Sequence, residues 1–182
     1  MVQVRDRILD AFAELLSIEG ERHATLEAVA RRAGVSKGGL LYHFPSKDRL
    51  VDGLCERLQE LAAQDVQRMR AAPDGPARYY IQTSYYAGTP MDRALVAVAR
   101  LQQAGFAAAR TTAETVSNAW LQALVEGIGD LDAARAVKLA GDGLYYNALF
   151  GALGGHQQAP PDEGLLAVID RITRVQRPKG RR

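Results

Sequence analysis

The sequence is poor in cysteine and has no long apolar run, and each shortage excludes a class of protein. Cys55 is the only cysteine among 182 residues, so an internal disulfide and a cysteine-rich metal site are excluded. The longest apolar run, from Ala94 to Ala99, is six residues, whereas a membrane-spanning helix needs about 20. The N-terminal segment carries charges where a signal peptide needs apolar residues. We therefore expect a soluble, cytoplasmic protein.

Histidine is also scarce, and catalytic motifs are absent. His23, His43 and His156 are far apart and lack any helical metal-ligand spacing, so we expect neither a metal site nor a cofactor. The sequence has no GxSxG motif, no P-loop and no glycine fingerprint after a strand. Cys55 has no His or Asn in a recognisable nucleophile arrangement. The sequence therefore predicts a protein that is not an enzyme.

The charges are nearly balanced overall but unevenly distributed. The chain has 23 basic and 21 acidic residues, for a net charge of +2. Residues 22–49 carry six basic residues against two acidic ones, on a segment with helical patterning. Residues 171–182 carry six basic residues and no acidic one, and we expect residues 177–182 to form a solvated basic tail.

Apolar spacings of three and four residues recur along the chain and predict eight or nine helices. No segment alternates apolar and polar residues long enough to indicate a strand. The sequence thus predicts an all-α protein. The expected helices cover about 4–17, a short stretch after Thr25, 36–44, 46–69, 77–87, two helices divided near Gly105, 132–153 and 162–175.

The segment from Thr25 to Lys47, TLEAVARRAGVSKGGLLYHFPSK, carries the most specific pattern. It indicates two short helices, with Thr25 and Ser36 as N-caps and Gly34 supplying the left-handed turn between them. We expect Leu40 to face inward, so that the rest of the second helix faces outward. Glycine and polar side chains on an exposed helix suit the major groove of DNA, and Lys47 at the start of the next helix suits a phosphate. The candidate DNA-binding residues are Thr25, Ser36, Lys37, Gly38, Gly39, Leu41, Tyr42, His43 and Lys47.

Residues 4–54 resemble the DNA-binding head of the TetR family of bacterial transcriptional repressors. The family pattern is T-x-x-x-[IV]-A-x-x-A-G-V-S-x-G-x-[LI]-x-x-[YH]-F-x-[SN]-K-x-x-L. It is filled here, without a gap, by Thr25, Val29, Ala30, Ala33, Gly34, Val35, Ser36, Gly38, Leu40, His43, Phe44, Ser46, Lys47 and Leu50. The chain departs from the family at Gly39 and Leu41, where a small hydroxyl residue and then Tyr are common.

The resemblance implies a division into a helix-turn-helix head at 1–48 and an effector-binding and dimerisation domain at 49–176. It also implies a homodimer that binds a palindromic operator in double-stranded DNA, paired through the helices at about 132–153 and 162–176. The candidate dimer-interface residues are Val137, Leu144, Ala148, Leu165, Ile169 and Ile172. Without the resemblance, these apolar stripes favour a core within one chain.

Most aromatic residues lie after residue 78, and a ligand cavity needs such apolar walls with a few polar tips. We therefore expect a small, largely apolar or aromatic effector, although each ring could instead be plain core. The candidate effector-binding residues are Tyr80, Tyr86, Phe106, Trp120, Tyr145 and Tyr146. Two alternatives stay open: a small helical enzyme that uses this cavity, and a DNA-binding dimer without a small-molecule effector. The sequence does not distinguish a repressor from an activator.

Overall fold

The computed structural model describes residues 3–153 and 161–174, and within these ranges the chain forms nine α-helices and no strand. The prediction of an all-α fold is confirmed. The helices are α1 (Val4–Ile18), α2 (Leu26–Ala33), α3 (Lys37–His43), α4 (Lys47–Arg70), α5 (Gly75–Thr83), α6 (Pro90–Gln103), α7 (Ala107–Ile128), α8 (Leu131–Leu153) and α9 (Glu163–Arg174).

Local capping interactions set the ends of α2, α3 and α4. The hydroxyl of Thr25 accepts a hydrogen bond from the Ala28 amide at 3.2 Å, and that of Ser36 accepts one from the Gly39 amide at 3.0 Å. Gly34 ends α2 with a φ of 66°, a left-handed conformation that costs an L side chain free energy. Ser46 caps α4 through the Arg49 amide at 3.2 Å. The turn between α2 and α3 therefore follows from residues within a few positions of it.

Helix α5 is shorter than the sequence predicts, because it ends at Thr83 rather than near residue 87. Two hydroxyl side chains compete for its last carbonyl groups. Thr83 Oγ1 donates to the Tyr79 carbonyl at 2.8 Å, and Ser84 Oγ donates to the Tyr80 carbonyl at 2.6 Å. Tyr86 consequently lies after the helix rather than on it.

The chain divides into two compact units. Unit 1 contains the residues up to 62 together with Gly88–Val116, and its core centres on α1. Helix α1 packs against both α2 and α6, and α2 packs against α3. The large, fully buried side chains of this unit are Ile8, Leu9, Phe12, Leu16, Leu40, Leu50, Leu54, Leu58 and Leu101.

Unit 2 contains Ala63–Ala87 and the residues from 117 onward. Within it α5 packs against α8 and α9, and α8 packs against α9. Its core consists of Val66, Met69, Ala77, Tyr80, Ile81, Ala123, Leu124, Ala134, Val137, Leu166 and Ile169.

The two units do not follow the predicted division at residue 48. Unit 1 extends through the first part of α4 and takes in α6, which packs on α1. Helices α4 and α7 each contribute residues to both units. The predicted basic tail at 177–182 lies outside the described residues.

The packing of Gly53 on α4 gives a first test of unit 1. A Cβ atom at this position would lie 2.6 Å from Cε1 of Phe44, whose buried ring has little room to move. We expect Gly53→Ala to lower the free energy of unfolding by about 1–3 kcal/mol through overpacking. Gly38→Ala is the control, since nothing lies within 4 Å of its added Cβ; it should gain up to about 1 kcal/mol from helix propensity. Equal effects in denaturant unfolding would contradict this packing.

Candidate nucleic-acid interface

Helix α3 is held in place by one buried residue and by its two ends. It has only seven residues, and Leu40 is its buried side chain. Phe44, directly after the helix, is also buried, and its amide donates to the Leu40 carbonyl at 2.8 Å. The backbone is therefore fixed from one side, and the opposite side of α3 is left to solvent.

The outward side of α3 carries an aromatic pair and a helical glycine. Tyr42 is 85% exposed, and its ring meets that of His43 edge to face at a centroid distance of 5.2 Å. Leu41 is half-buried, and Gly38 is exposed with open space where a Cβ would be. Five of the predicted outward positions thus share one surface, which we call the α3 face: Lys37, Gly38, Leu41, Tyr42 and His43. Gly39 is half-buried, and a Cβ added there would lie 3.2 Å from the Ser36 hydroxyl.

The two N-cap hydroxyls and Lys37 add polar groups beside the α3 face. Thr25 and Ser36 use their oxygens to accept from backbone amides, so each retains an O–H donor for an outside acceptor. The ammonium group of Lys37 forms an ion pair with Glu27 on α2. The hydrogen bond from Lys37 holds the pKa of the Glu27 carboxyl below its usual range. A phosphate at this position would compete with Glu27 for Lys37.

Lys47 occupies a different setting from the free phosphate contact that the sequence predicts. Its Nζ donates to Oε1 of Glu21 at 2.6 Å and to the Glu21 carbonyl at 3.0 Å, and both side chains are half-buried. Lys47 therefore ties the start of α4 to the turn that precedes α2. Two of its three N–H donors are used in this way, which leaves one for an outside acceptor.

The basic surplus of residues 22–49 is largely paired within the chain. Arg32 forms a two-bond ion pair with Glu14, Arg49 pairs with Asp52 at 3.4 Å, and Lys37 and Lys47 are paired as above. Of the six basic residues, Arg22 and Arg31 form no ion pair with any residue that the structure describes. Their exposed guanidinium groups are the available cations of this segment.

Two of the predicted effector-binding residues meet in unit 2. Tyr80 is buried, and its ring lies 6.2 Å from that of the half-buried Trp120. Each polar tip is already hydrogen-bonded to a carboxylate. The Tyr80 hydroxyl donates to Asp142 at 2.6 Å, and Nε1 of Trp120 donates to the buried Asp65 at 3.0 Å. Burial, and then the charge of Asp142, raises the pKa of Tyr80.

Tyr79, one of the aromatic residues after position 78, belongs to this group, and so does Asp65, which the sequence did not single out. The Tyr79 hydroxyl donates to Asp65 at 2.8 Å, and burial followed by this hydrogen bond raises the pKa of Tyr79. Asp65 thus links α5 and α7 to the end of α4. A charged residue on an apolar helix face was the available signal, since Asp65 stands three residues after the buried Ala62 and four before the buried Met69.

Of the other four predicted effector residues, Phe106, Tyr86 and Tyr146 are not part of this group. Phe106 belongs to unit 1, and Tyr86 lies in the segment between α5 and α6. Tyr145 is half-buried on α8, and Tyr146 is exposed and packs against the ring of Phe150 at 4.5 Å.

The predicted dimer residues fall on two different sides of α8 and α9. Val137, Ala148 and Ile169 are buried within one chain, while Leu144 and Leu165 pack at the edge of the same core. Only Ile172 is exposed. This placement matches the alternative of a core within the chain, and it removes three of the six residues from an outer surface.

Both helices also carry exposed apolar side chains. On α8 the side chains of Leu139, Tyr146 and Phe150 are 72%, 61% and 54% exposed, and on α9 Val168 and Ile172 are also exposed. We call these five residues the α8–α9 face. Of these five residues the sequence selected only Ile172 for the dimer interface, because the buried and the exposed stripes of α8 are both apolar.

Two further findings bear on other classes of site. No helix in the described ranges is long and apolar enough to cross a bilayer. Among the residues at 3–153 and 161–174, no group of three or more His, Cys, Asp or Glu side chains converges as metal ligands would.

The Lys47–Glu21 contact is tested by a double-mutant cycle with Lys47→Met and Glu21→Gln. Because both side chains are less than a third exposed, we expect a coupling free energy of about 1 kcal/mol in denaturant unfolding. The exposed Arg49–Asp52 pair is the matched control and should couple by less than about 0.5 kcal/mol. A coupling for Lys47 and Glu21 no larger than the control's would remove the anchoring role of Lys47.

Comparison with known proteins agrees with this arrangement. Residues 8–54 match the model of the bacterial regulatory proteins of the tetR family. Over 66 residues the chain is 42% identical to the nucleoid occlusion factor SlmA of Aliivibrio fischeri and 41% identical to that of Vibrio cholerae. Each match covers 36% of this chain and 34% of the relative, so the similarity spans about a third of the SlmA chain.

Solved structures extend the similarity of fold to nearly the whole chain. A transcriptional regulator from Streptomyces coelicolor A3(2) is 24% identical, with a TM-score of 0.65 over 94% of this chain and 99% of that one. The multidrug binding protein EbrR, solved with imidazole, is 20% identical, with a TM-score of 0.63 over 94% and 96%. Residues 8–54 are therefore similar to the bacterial regulatory proteins of the tetR family, and nearly the whole chain shares the fold of these two solved structures.

Proposed function

We propose that this protein is a DNA-binding transcriptional regulator that acts in the cytoplasm as a homodimer on a near-palindromic operator. A small, largely apolar or aromatic effector would release it from DNA. The observation that carries the proposal is the α3 face, an exposed helix surface on a backbone fixed by caps and by Leu40. The tetR family is one of regulatory proteins, not of enzymes, so the enzyme alternative is set aside.

The chemistry of the α3 face supports contact with the major groove. Gly38 lets the helix backbone come close to base edges, and the half-exposed Leu41 is of a type that contacts a thymine methyl. Tyr42 and the hydroxyls of Thr25 and Ser36 are donors of the kind that bind phosphate oxygens. Lys37 becomes available when DNA replaces Glu27 as its partner. Lys47 takes a smaller part, through the single donor that Glu21 leaves free.

The α8–α9 face supports the homodimer. Large apolar side chains exposed together on a soluble surface are typical of interaction sites rather than of solvent-facing helices. The two helices that carry these side chains also pack on each other within the chain. A two-fold pair built on this face would present two α3 helices, about 34–36 Å apart for successive major grooves of one operator.

The aromatic group of Tyr79, Tyr80 and Trp120 supports an effector site in unit 2. EbrR, which shares this fold, is a multidrug binding protein. An effector at these rings would meet apolar walls and two carboxylates, Asp65 and Asp142, which now accept the aromatic O–H and N–H groups.

A second candidate is a DNA-binding dimer without a small-molecule effector. The observation that favours it is that the polar tips of Tyr80 and Trp120 are already satisfied within unit 2, as in an ordinary core. The response to ligand, tested below, separates the two candidates.

DNA binding is tested by selecting sequences from a pool of random 20-base-pair duplexes. We expect a near-palindrome to be enriched, and Tyr42→Ala to bind it about tenfold or more weakly, because one phosphate or base contact is lost. Tyr42 is exposed, so its removal should leave thermal stability unchanged. The matched control is Tyr85→Ala, an exposed tyrosine outside α3, which should keep wild-type affinity. If no sequence is enriched, DNA binding is refuted. If a sequence is enriched and Tyr42→Ala binds it with wild-type affinity, only the role of the α3 face in DNA binding is refuted.

The effector is tested through Trp120, the single tryptophan. A cognate compound from a panel of small aromatics should change its fluorescence and weaken operator binding by about 5- to 150-fold. Operator DNA must lower the affinity of the protein for the compound by the same factor, because the coupling is reciprocal. Trp120→Phe provides the control for a signal that arises elsewhere. Compounds that bind without changing operator affinity would favour the regulator without an effector.

A further inference from the structure

Lys37, the first residue of α3, is held by a carboxylate of the neighbouring helix. Its ammonium group donates a hydrogen bond to Oε1 of Glu27, which lies in the first turn of α2. The two helices pack on each other within unit 1. The side chains of Lys37 and Glu27 remain 58% and 62% exposed. The ion pair is therefore open to solvent, beside the α3 face to which Lys37 belongs.

Glu27 is a competitor for Lys37 rather than a ligand for DNA phosphate. The hydrogen bond from Lys37, followed by one from its own backbone amide, holds the pKa of the Glu27 carboxyl below its usual range. The carboxylate is therefore charged at neutral pH. An ionised carboxylate has acceptors only, so it cannot bind a phosphate oxygen. A phosphate that approaches this surface must take Lys37 away from Glu27.

The exposure of this pair makes the exchange possible. Solvent-exposed ion pairs contribute little free energy, so DNA can break the pair between Lys37 and Glu27 at a small cost. The other candidate lysine is held differently. Lys47 and Glu21 are only 29% and 27% exposed, and Lys47 also donates to the Glu21 carbonyl. Of the two lysines, Lys37 is therefore the one whose availability an exposed carboxylate controls.

The small cost of breaking the pair is not offset equally on all DNA. Contacts to base edges hold a protein in one register on its operator, whereas binding elsewhere relies on phosphate contacts and lets the protein slide. On the operator, Lys37 would meet the same phosphate in every complex. On other DNA it would meet a phosphate in only some registers. The loss of the contact with Glu27 is thus offset more completely at the operator.

We propose that Glu27 is a specificity-determining residue: by holding Lys37, it weakens binding to unrelated DNA more than binding to the operator. This inference rests on the DNA binding of the proposed function. It adds a residue that lies on α2, outside the α3 face, and that acts through Lys37 rather than by contact with DNA.

Glu27→Gln tests the inference, because it removes the charge and keeps the size of the side chain. Dissociation constants are measured by fluorescence anisotropy, at matched salt, for the selected operator and for a shuffled duplex of the same composition. We expect the variant to bind the shuffled duplex about fivefold more tightly and the operator about twofold or less more tightly. Glu126→Gln is the matched control, since it removes the same charge from an exposed ion pair with Arg70 in unit 2. It should leave the ratio of the two affinities unchanged.

A double-mutant cycle with Lys37→Met shows whether Glu27 acts through Lys37. If it does, Glu27→Gln gains no affinity for the shuffled duplex once Lys37 is replaced, whereas general repulsion of phosphate would give the same gain in both backgrounds. A gain that persists without Lys37, the absence of any gain, or a gain on the operator at least as large as that on the shuffled duplex refutes the role of Glu27 and leaves DNA binding intact. A protein that enriches no operator refutes DNA binding and this role together.

Discussion

Helix α3 has seven residues, two of them glycine, and a helix of this length and composition does not form by itself in water. Its conformation depends on the burial of Leu40 in unit 1 and on the Ser36 cap at its start. The left-handed Gly34 fixes the direction from which the chain enters. These contacts are made on the inner side and at the ends of α3. The side chains on the outer side are therefore not needed to hold the helix in place. The residues of the α3 face are thereby free to be chosen for a partner.

Most of this head could be predicted from the sequence because its determinants are local. A cap and the amide it satisfies lie three residues apart, and the glycine of the turn stands next to the helix that it ends. Lys47 shows the limit of such reasoning. Its partner, Glu21, lies 26 residues earlier and outside the family pattern, so no local rule connects the two. A lysine at the start of a helix is therefore predicted to bind a phosphate, and only the fold shows that a carboxylate already pairs with it.

Helix α8 was predicted with nearly the observed bounds, but the side that it buries was not. Its residues 137, 141, 144 and 148 and its residues 139, 143, 146 and 150 both form apolar or small stripes at helical spacing. Periodicity identifies a helix but cannot rank two such stripes. The packing of α5 and α9 decides the question, and those contacts join segments that are far apart in the chain. The aromatic group also depends on contacts between segments that are far apart in the chain, because Asp65, which accepts a hydrogen bond from Trp120, lies 55 residues before it.

The glycines of the helices separate what the fold requires from what a partner requires. Gly53, Gly127 and Gly141 each lie against another side chain of their own unit, so that a Cβ would collide with Phe44, Pro76 or Tyr80. Evolution cannot replace them without disturbing the core.

Gly38 and Gly143 bear the same cost in helix propensity with no such collision. Both lie on surfaces rich in exposed aromatic or aliphatic side chains, the α3 face and the α8–α9 face. If a substitution at either site raises the stability of the isolated chain while it weakens association, the missing Cβ serves an intermolecular contact. The cost of each glycine would then be offset by a contact outside the monomer.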